Sequence, residues 1–435
     1  MKKWLGLFLA LGLIVGLMAA CGPNEESSGN GGDSGESSGE GDGQNTESEG
    51  SSEEQPKPDK LIVWEDQDKG KALEAAAKKF TDETGIEIEY VEYNITKMQE
   101  NMALDGSTEK APDVVTMSHD GVGPSVAKGY IKPIEVSDDV LNKYTESSVD
   151  ALTYQDKLYG LPKAVETTVF IYNKDKMEEP PESMDEMYEM SMTAKEEGNY
   201  GFLATWDNFY FSHGVFHGFG ANVFGDSPSE IGLNGEKGVE AISYIDKWYE
   251  EGLFPEGLLS KNAASVVDRL FTDGDAIAVQ NGPWAFQNYT DKGVNYGVAP
   301  MPDLPNGEPQ GTFMGVKGWF VTAFSQQKGK DYWAEEFVKV VSNEENAKER
   351  YDMTGEIPPL KALVEDEEWV SSNPGAAAVM EQSKNAVAMP VIPEMAEVWD
   401  PMKTAVQSVA TDKADAQKAL DDAVDVIKQQ IEANY

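Results

Sequence analysis

Cysteine is almost missing from these 435 residues: there is one, Cys21, beside only three histidines. No disulfide can form within the chain, and the Cys/His sets that hold structural zinc cannot be assembled. Positive charge is scarce too, with 35 Lys+Arg against 78 Asp+Glu and a net charge of −43. A surface of that sign repels phosphate backbones and anionic head groups, which argues against nucleic acid as a partner. Long apolar runs are absent beyond the N-terminus, where Trp4 to Met18 is hydrophobic throughout. That run is shorter than the ~20 residues a membrane span needs. What remains is ordinary for folded protein: 40% hydrophobic and 26% charged residues, enough for two or three domains with sizeable cores.

Lys2 and Lys3 precede the apolar run and Ala19-Ala20-Cys21 closes it, so residues 1–20 read as a secretory signal. A cysteine directly after two alanines resembles the lipobox of bacterial lipoproteins. That resemblance implies lipidation at Cys21 and attachment to the cell membrane; Met18 stands where the pattern more often has Leu. Residues 21–58 then read as a tether, because Gly22 to Pro58 is nearly all Gly, Ser, Glu, Asp and Asn. Such a segment buries nothing and spans roughly 30–35 Å as a solvated coil. Removing the tether's −9 and the signal's +2 from −43 leaves −36 on residues 59–435, a surplus suited to a saline or alkaline habitat.

From residue 59 onward strands and helices alternate. Leu61-Ile62-Val63-Trp64 is the short continuous apolar run of a buried parallel strand. Leu73, Ala76, Ala77 and Phe80 share one helical face, and Gly85 stops that helix. Ile86, Ile88 and Tyr90 alternate with acids as a second strand, and Val114 to Met117 reads as a third. Strand, helix, strand at this spacing is a βαβ unit, and ligands of open α/β sheets sit beyond the carboxyl ends of the strands. Trp64 to Lys69 and Met117 to Gly121 occupy such ends. Further strands are expected at Val169 to Tyr172, Ala276 to Val279 and Phe320 to Phe324. Helices are expected through Val239, Ile242 and Ile245, from Ala263 to Phe271, and through Ala416, Leu420 and Ile427. The fold class is α/β, in two lobes.

Seven motifs then carry a resemblance. Lys60-Leu61-Ile62-Val63-Trp64 with Asp68-Lys69-Gly70, Ser118-His119-Asp120, Ala164-Val165-Glu166 and Ile171-Tyr172-Asn173-Lys174-Asp175 occur in order. They are followed by Asn281-Gly282-Pro283-Trp284-Ala285, Val294-Asn295-Tyr296-Gly297-Val298, and Met389-Pro390 with Ile392-Pro393 and Trp399. Together they resemble the bacterial maltose/maltodextrin-binding proteins, the extracytoplasmic receptors of ABC sugar importers, over essentially all of 59–435. The resemblance implies a periplasmic-binding-protein-like fold with an inter-lobe hinge: first lobe 59–165 with a return segment 318–366, second lobe 169–313 with 370–435. It implies a maltodextrin-type oligosaccharide as ligand, ABC permease subunits as partners, and neither cofactor nor metal nor catalytic residue.

Residue by residue, the resemblance implies that Tyr210, Trp284 and Trp399 stack on sugar faces. It implies that Asp68, Lys69, Asp120 and Glu166 hydrogen-bond sugar hydroxyls, with Asp66 as a weaker companion. The chemistry suits the task, since rings cover flat C–H faces and charged groups satisfy hydroxyl rims. Three departures bear on specificity: Met117 stands where enteric family members have a stacking tryptophan, Gly121 replaces an arginine, and so does Lys403. Cyclodextrin or another oligosaccharide, including a plant-derived one, is therefore an alternative ligand. His213 and His217 have the i, i+4 spacing of a metal pair, but Gly214 stands where a metalloprotease needs Glu, so packed rings are expected. A membrane-anchored glycosidase with paired carboxylates is the competing enzymatic reading.

Overall fold

A computed structural model describes residues 55–435; the expected signal, Cys21 and most of the tether lie outside the described residues. Strand β1 (Lys60–Asp66) is buried along most of its length and pairs in parallel with β2 (Glu87–Tyr93) and β3 (Val114–Ser118). Its alternate residues enter opposite layers. Leu61 and Val63 join a cluster with Phe80, Phe337 and Val341, whereas Ile62 and Trp64 join one with Met98, Met102 and Phe320. A period of two between two apolar layers is what makes the run continuous in sequence. Helix α1 (Glu74–Thr84) buries Ala76 and Phe80 and ends at Gly85, whose φ of 79° is left-handed, a conformation glycine adopts without steric cost.

Beyond β3 the sheet continues with the antiparallel strand Phe313–Val321, which also pairs with Gly160–Glu166 and Val387–Ala388. A second sheet has four strands in the spatial order Tyr296–Ala299, Val169–Asn173, Ala276–Asn281, Tyr200–Leu203. Its core is aromatic: rings of Phe202, Trp206, Trp248 and Phe254 lie 5.1 to 6.3 Å apart. The C-terminal helix Ala416–Asn434 buries Leu420, Val424 and Ile427 against the same cluster.

The chain crosses between the sheets repeatedly. Gly160–Glu166 in the first sheet leads through Thr167 and Thr168 into Val169–Asn173 in the second. Phe313–Val321 starts in the second core at Phe313 and ends in the first with Trp319 and Val321. After helix Glu344–Thr354, Ile357 bridges to Val165 while its side chain joins the second core. These crossings converge at one end of the first sheet.

Two local expectations need correcting. The strand expected at Phe320 to Phe324 ends at Val321, because Thr322 caps the helix Ala323–Gln327 with its hydroxyl accepting from the Ser325 N–H at 3.0 Å. Trp399, expected in an irregular stretch, is the first residue of helix Trp399–Asp412. Pro401 falls in the first turn, where a missing N–H costs nothing. Among the described residues no helix is long and apolar enough to cross a membrane.

Candidate functional site

The carboxyl ends of β1 and β3 and the crossing strands bring charged groups together. Asp66 closes β1; its Oδ1 accepts from the Gln67 and Ile95 N–H groups at 2.9 and 3.1 Å. Asp68 stands exposed at the tip of the next turn with φ of 64°. Lys69 is buried, and its Nζ donates to the Thr354 carbonyl at 3.2 Å; burial lowers its pKa. Asp120, partly buried in the turn after β3, is pushed up by burial, with His119 pulling the other way. Glu166 ends its strand against Lys317 at 2.9 Å, and burial raises its pKa although Lys317 opposes this.

His119 fixes this end of the sheet. Its Nδ1 accepts from the Val316 N–H at 3.0 Å, so its Nε2–H donates to the Met389 carbonyl at 2.9 Å. One ring thereby ties β3 to the Phe313–Val321 strand and to the segment that leads toward Trp399. Burial lowers its pKa, which keeps the ring neutral and that tautomer in place.

The second lobe presents rings. Asn208 caps helix Phe209–Phe219 by accepting from the Tyr210 N–H at 3.1 Å, which sets Tyr210 in the first turn. The Tyr210 ring lies 6.1 Å from Trp284 and 6.3 Å from Phe313, and Phe313 lies 6.0 Å from Trp399. Trp284, Tyr210, Phe313 and Trp399 thus form one aromatic row, whose tyrosine and tryptophans are each half-buried. The Tyr210 hydroxyl is buried and has no hydrogen-bond partner. A Cβ on Gly315 would sit 3.5 Å from it and 3.1 Å from Glu166 Cγ, so the row and the carboxylates meet there. His213 stacks on Phe313 at 3.5 Å and bonds the Gly311 carbonyl through Nδ1 at 2.8 Å. The histidine pair is part of this packing.

The structure therefore brings together Asp66, Glu166 and Tyr210, places Trp284 and Trp399 along the same row, and turns Lys69 inward. Phe313, Lys317, Lys163 and Glu356 belong to the assembly and were not expected from sequence. Met117 is buried, its sulfur 3.5 Å from the Ser125 hydroxyl, so no ring or substitute faces outward from that position. Two surface cavities, of about 480 and 820 Å³, lie elsewhere, beside Pro56–Lys60 and between Pro180 and Lys247. Neither combines carboxylates with this aromatic row.

A family model described as bacterial extracellular solute-binding protein matches residues 75–378. The chain belongs to the bacterial extracellular solute-binding proteins. A galactooligosaccharide-binding protein of Bacillus subtilis is 37% identical over all of this chain and 99% of its own length. A maltodextrin-binding protein of the same organism is 33% identical over 83% of this chain and 88% of that one. Among solved structures, a cyclo/maltodextrin-binding protein complexed with maltotetraose is 39% identical with a TM-score of 0.74, covering 87% of this chain and 99% of that one. This solute-binding protein thus has the two-lobed α/β fold expected from sequence, and its family consists of binding proteins, so the glycosidase reading falls.

Proposed function

We propose that this solute-binding protein is the receptor for maltodextrin-type α-glucans of an ABC importer. The sugar lies between the Trp284–Tyr210–Phe313–Trp399 row and the carboxylates at the strand ends. The observation that carries this reading is the pairing of three half-buried rings, Trp284, Tyr210 and Trp399, linked through buried Phe313, with charged acceptors where the crossing strands meet. Each ring covered by a sugar face contributes roughly 1.5–3 kcal/mol by buried area, and each hydroxyl donating to a carboxylate about 1.5–3 kcal/mol. Contacts to both lobes exist only when they approach, so ligand shifts the population toward the closed form. The closed form is what the permease accepts. Asp68 and Asp120 contribute acceptors at the rim, and the lobes divide near 165–169, 313–318 and 366–370. Lipid on Cys21 and the acidic tether hold the receptor at the outer face of the membrane, in a Gram-positive type of envelope.

A second reading, a galacto-oligosaccharide ligand, rests on the Bacillus subtilis relative that matches the whole chain. Tryptophan fluorescence titrated with maltotriose, cyclodextrin, galacto-oligosaccharide and xylo-oligosaccharide separates the two. Saturation with maltotriose at the lowest concentration supports the first reading. Preference for the galactoside replaces it with the second.

A further inference from the structure

We infer that Lys317 is the positioning residue of the binding site, one buried ammonium that holds Asp66 and Glu166 in place as acceptors for the sugar. The inference rests on the proposed function and goes beyond it, since Lys317 itself is 3% exposed and reaches ligand only through those two carboxylates. Its Nζ lies 2.9 Å from Glu166, 3.6 Å from Asp66 and 3.5 Å from Glu356. The three acids come from different elements: the end of β1, the end of Gly160–Glu166, and the crossing segment after helix Glu344–Thr354.

The backbone is shaped for this. Along the pairing of Phe313–Val321 with Gly160–Glu166, Lys317 faces Ala164 but Gly318 faces Pro162, leaving Lys163 as the extra residue of a bulge. Bulges re-aim side chains and concentrate beside functional sites. Here the bulged Lys163 and Lys317 beside it on the facing strand both reach Glu356, at 2.9 and 3.5 Å. Lys163 also pairs with buried Glu65 at 2.7 Å. Burial alone would raise Glu356, but Lys163, Lys317, Lys69 and Arg350 together hold it well below the usual carboxylate range. Burial alone would lower Lys317; Glu166, Glu356 and Asp66 keep it charged.

The arrangement predicts opposite responses from two substitutions. Glu166 is faced by Lys317, which favours its ionised form, by Glu356 and Asp66, which oppose it, and by the Tyr210 hydroxyl of the second lobe. Lys317→Met removes the stabilising charge, so Glu166 titrates at higher pH. Glu356→Gln removes a repelling charge and frees Lys317 for Glu166, so Glu166 titrates at lower pH. A disturbance of packing alone has no reason to move the two variants in opposite directions.

The test is carbon NMR titration of the Glu166 carboxylate in the unliganded full chain, as wild type, Lys317→Met, Lys317→Arg and Glu356→Gln, together with maltotriose affinity from pH 4.5 to 8. The expected result is an upward midpoint shift in Lys317→Met, a downward one in Glu356→Gln, and near-wild-type behaviour in Lys317→Arg. Maltotriose affinity at pH 7 falls at least about 10-fold in Lys317→Met. Equal midpoints in all four chains, or shifts of one sign in both neutralised variants, overturn the inference, as does full affinity in a folded Lys317→Met. Should Lys317→Met not fold, the direction of the Glu356→Gln shift decides alone. If the midpoints move as expected while wild type binds no oligosaccharide, the receptor reading fails and the role of Lys317 toward Glu166 stands.

Discussion

The two faces of the site are built on different physics. The face from the first lobe is ionic: Asp66, Glu166 and Glu356 surround Lys317, with Glu65, Lys163, Lys69 and Arg350 behind them. The face from the second lobe is a row of rings with no charge among them. Ionic groups must be neutralised within the fold before ligand arrives, because a buried charge left alone costs several kcal/mol. Rings need no partner, and Trp284, Tyr210 and Trp399 wait half-covered over the buried Phe313. The ionic face therefore costs more to build and is the more sensitive to its neighbours, whereas the aromatic face is the more replaceable in folding.

The largest effect should follow from breaking the ionic face. Lys163 is fully buried between Glu65 and Glu356. Lys163→Met leaves two buried carboxylates short of a partner and should destabilise the chain by about 3–5 kcal/mol, read from the midpoint of a urea unfolding curve at pH 7. A loss under 1 kcal/mol would mean that water reaches the pair and that the face is not a dry ion cage.

The aromatic face should answer the opposite way. Trp284→Ala should weaken oligosaccharide binding by about 10–100-fold, at roughly 1.4 kcal/mol per decade, while the urea midpoint moves far less than for Lys163→Met. Titration calorimetry against the sugar that wild type prefers checks this. Unchanged affinity together with a large stability loss would return Trp284 to the core and leave Tyr210 and Trp399 to carry stacking.

How far this contrast could be read from sequence differs between the faces. Trp284 and Tyr210 sit in motifs with their own local logic: a proline-opened turn after a strand, and an Asn-capped first turn. Asp66 and Glu166 were reachable because strand ends are where such sheets place their chemistry. Lys317 carried one signal, a lone lysine within the apolar run Phe313 to Val321, and a lysine in sequence reads first as a surface group. Glu356 carried none: it meets Lys163 and Lys317 only through a bulge and a crossing that no local pattern encodes. Trp399 was legible as a ring and illegible as a helix start, since Pro401 reads as a break although a helix tolerates proline in its first turn.

The two faces also differ in acid. His213, stacked under Phe313 behind the aromatic row, is pushed down to about 3 by burial, with His217 adding to the effect. Its folded value lies below that of an unfolded histidine, about 6.5, so the unfolded chain takes up the proton first. The resulting loss of stability begins as pH drops below about 6.5 and reaches about 2 kcal/mol at pH 5. Glu356 behaves otherwise: with its folded value depressed, its contribution is whole at pH 7. That contribution begins to fade only as pH falls into the ordinary carboxylate range, where the unfolded chain takes up the proton, and is lost progressively below that. Urea unfolding at pH 7 and pH 5 should therefore show a smaller acid loss in His213→Phe than in wild type. Equal losses would place the acid sensitivity among the carboxylates.

The smallest effect lies where the faces touch. Tyr210 belongs to the aromatic row, yet its hydroxyl is buried without a partner on the side of Glu166. A buried hydroxyl that satisfies nothing gains the fold nothing, so Tyr210→Phe should leave unliganded stability unchanged or raise it by up to about 1 kcal/mol. The same hydroxyl finds an acceptor once sugar oxygens fill the gap, so the variant should bind roughly 3- to 10-fold more weakly, about 0.7–1.4 kcal/mol. A ring acting only by its area would lose nothing on this change. Weaker binding at equal or higher stability is the signature of a polar group held unsatisfied for the ligand, and its absence would return Tyr210 wholly to the aromatic side of the comparison.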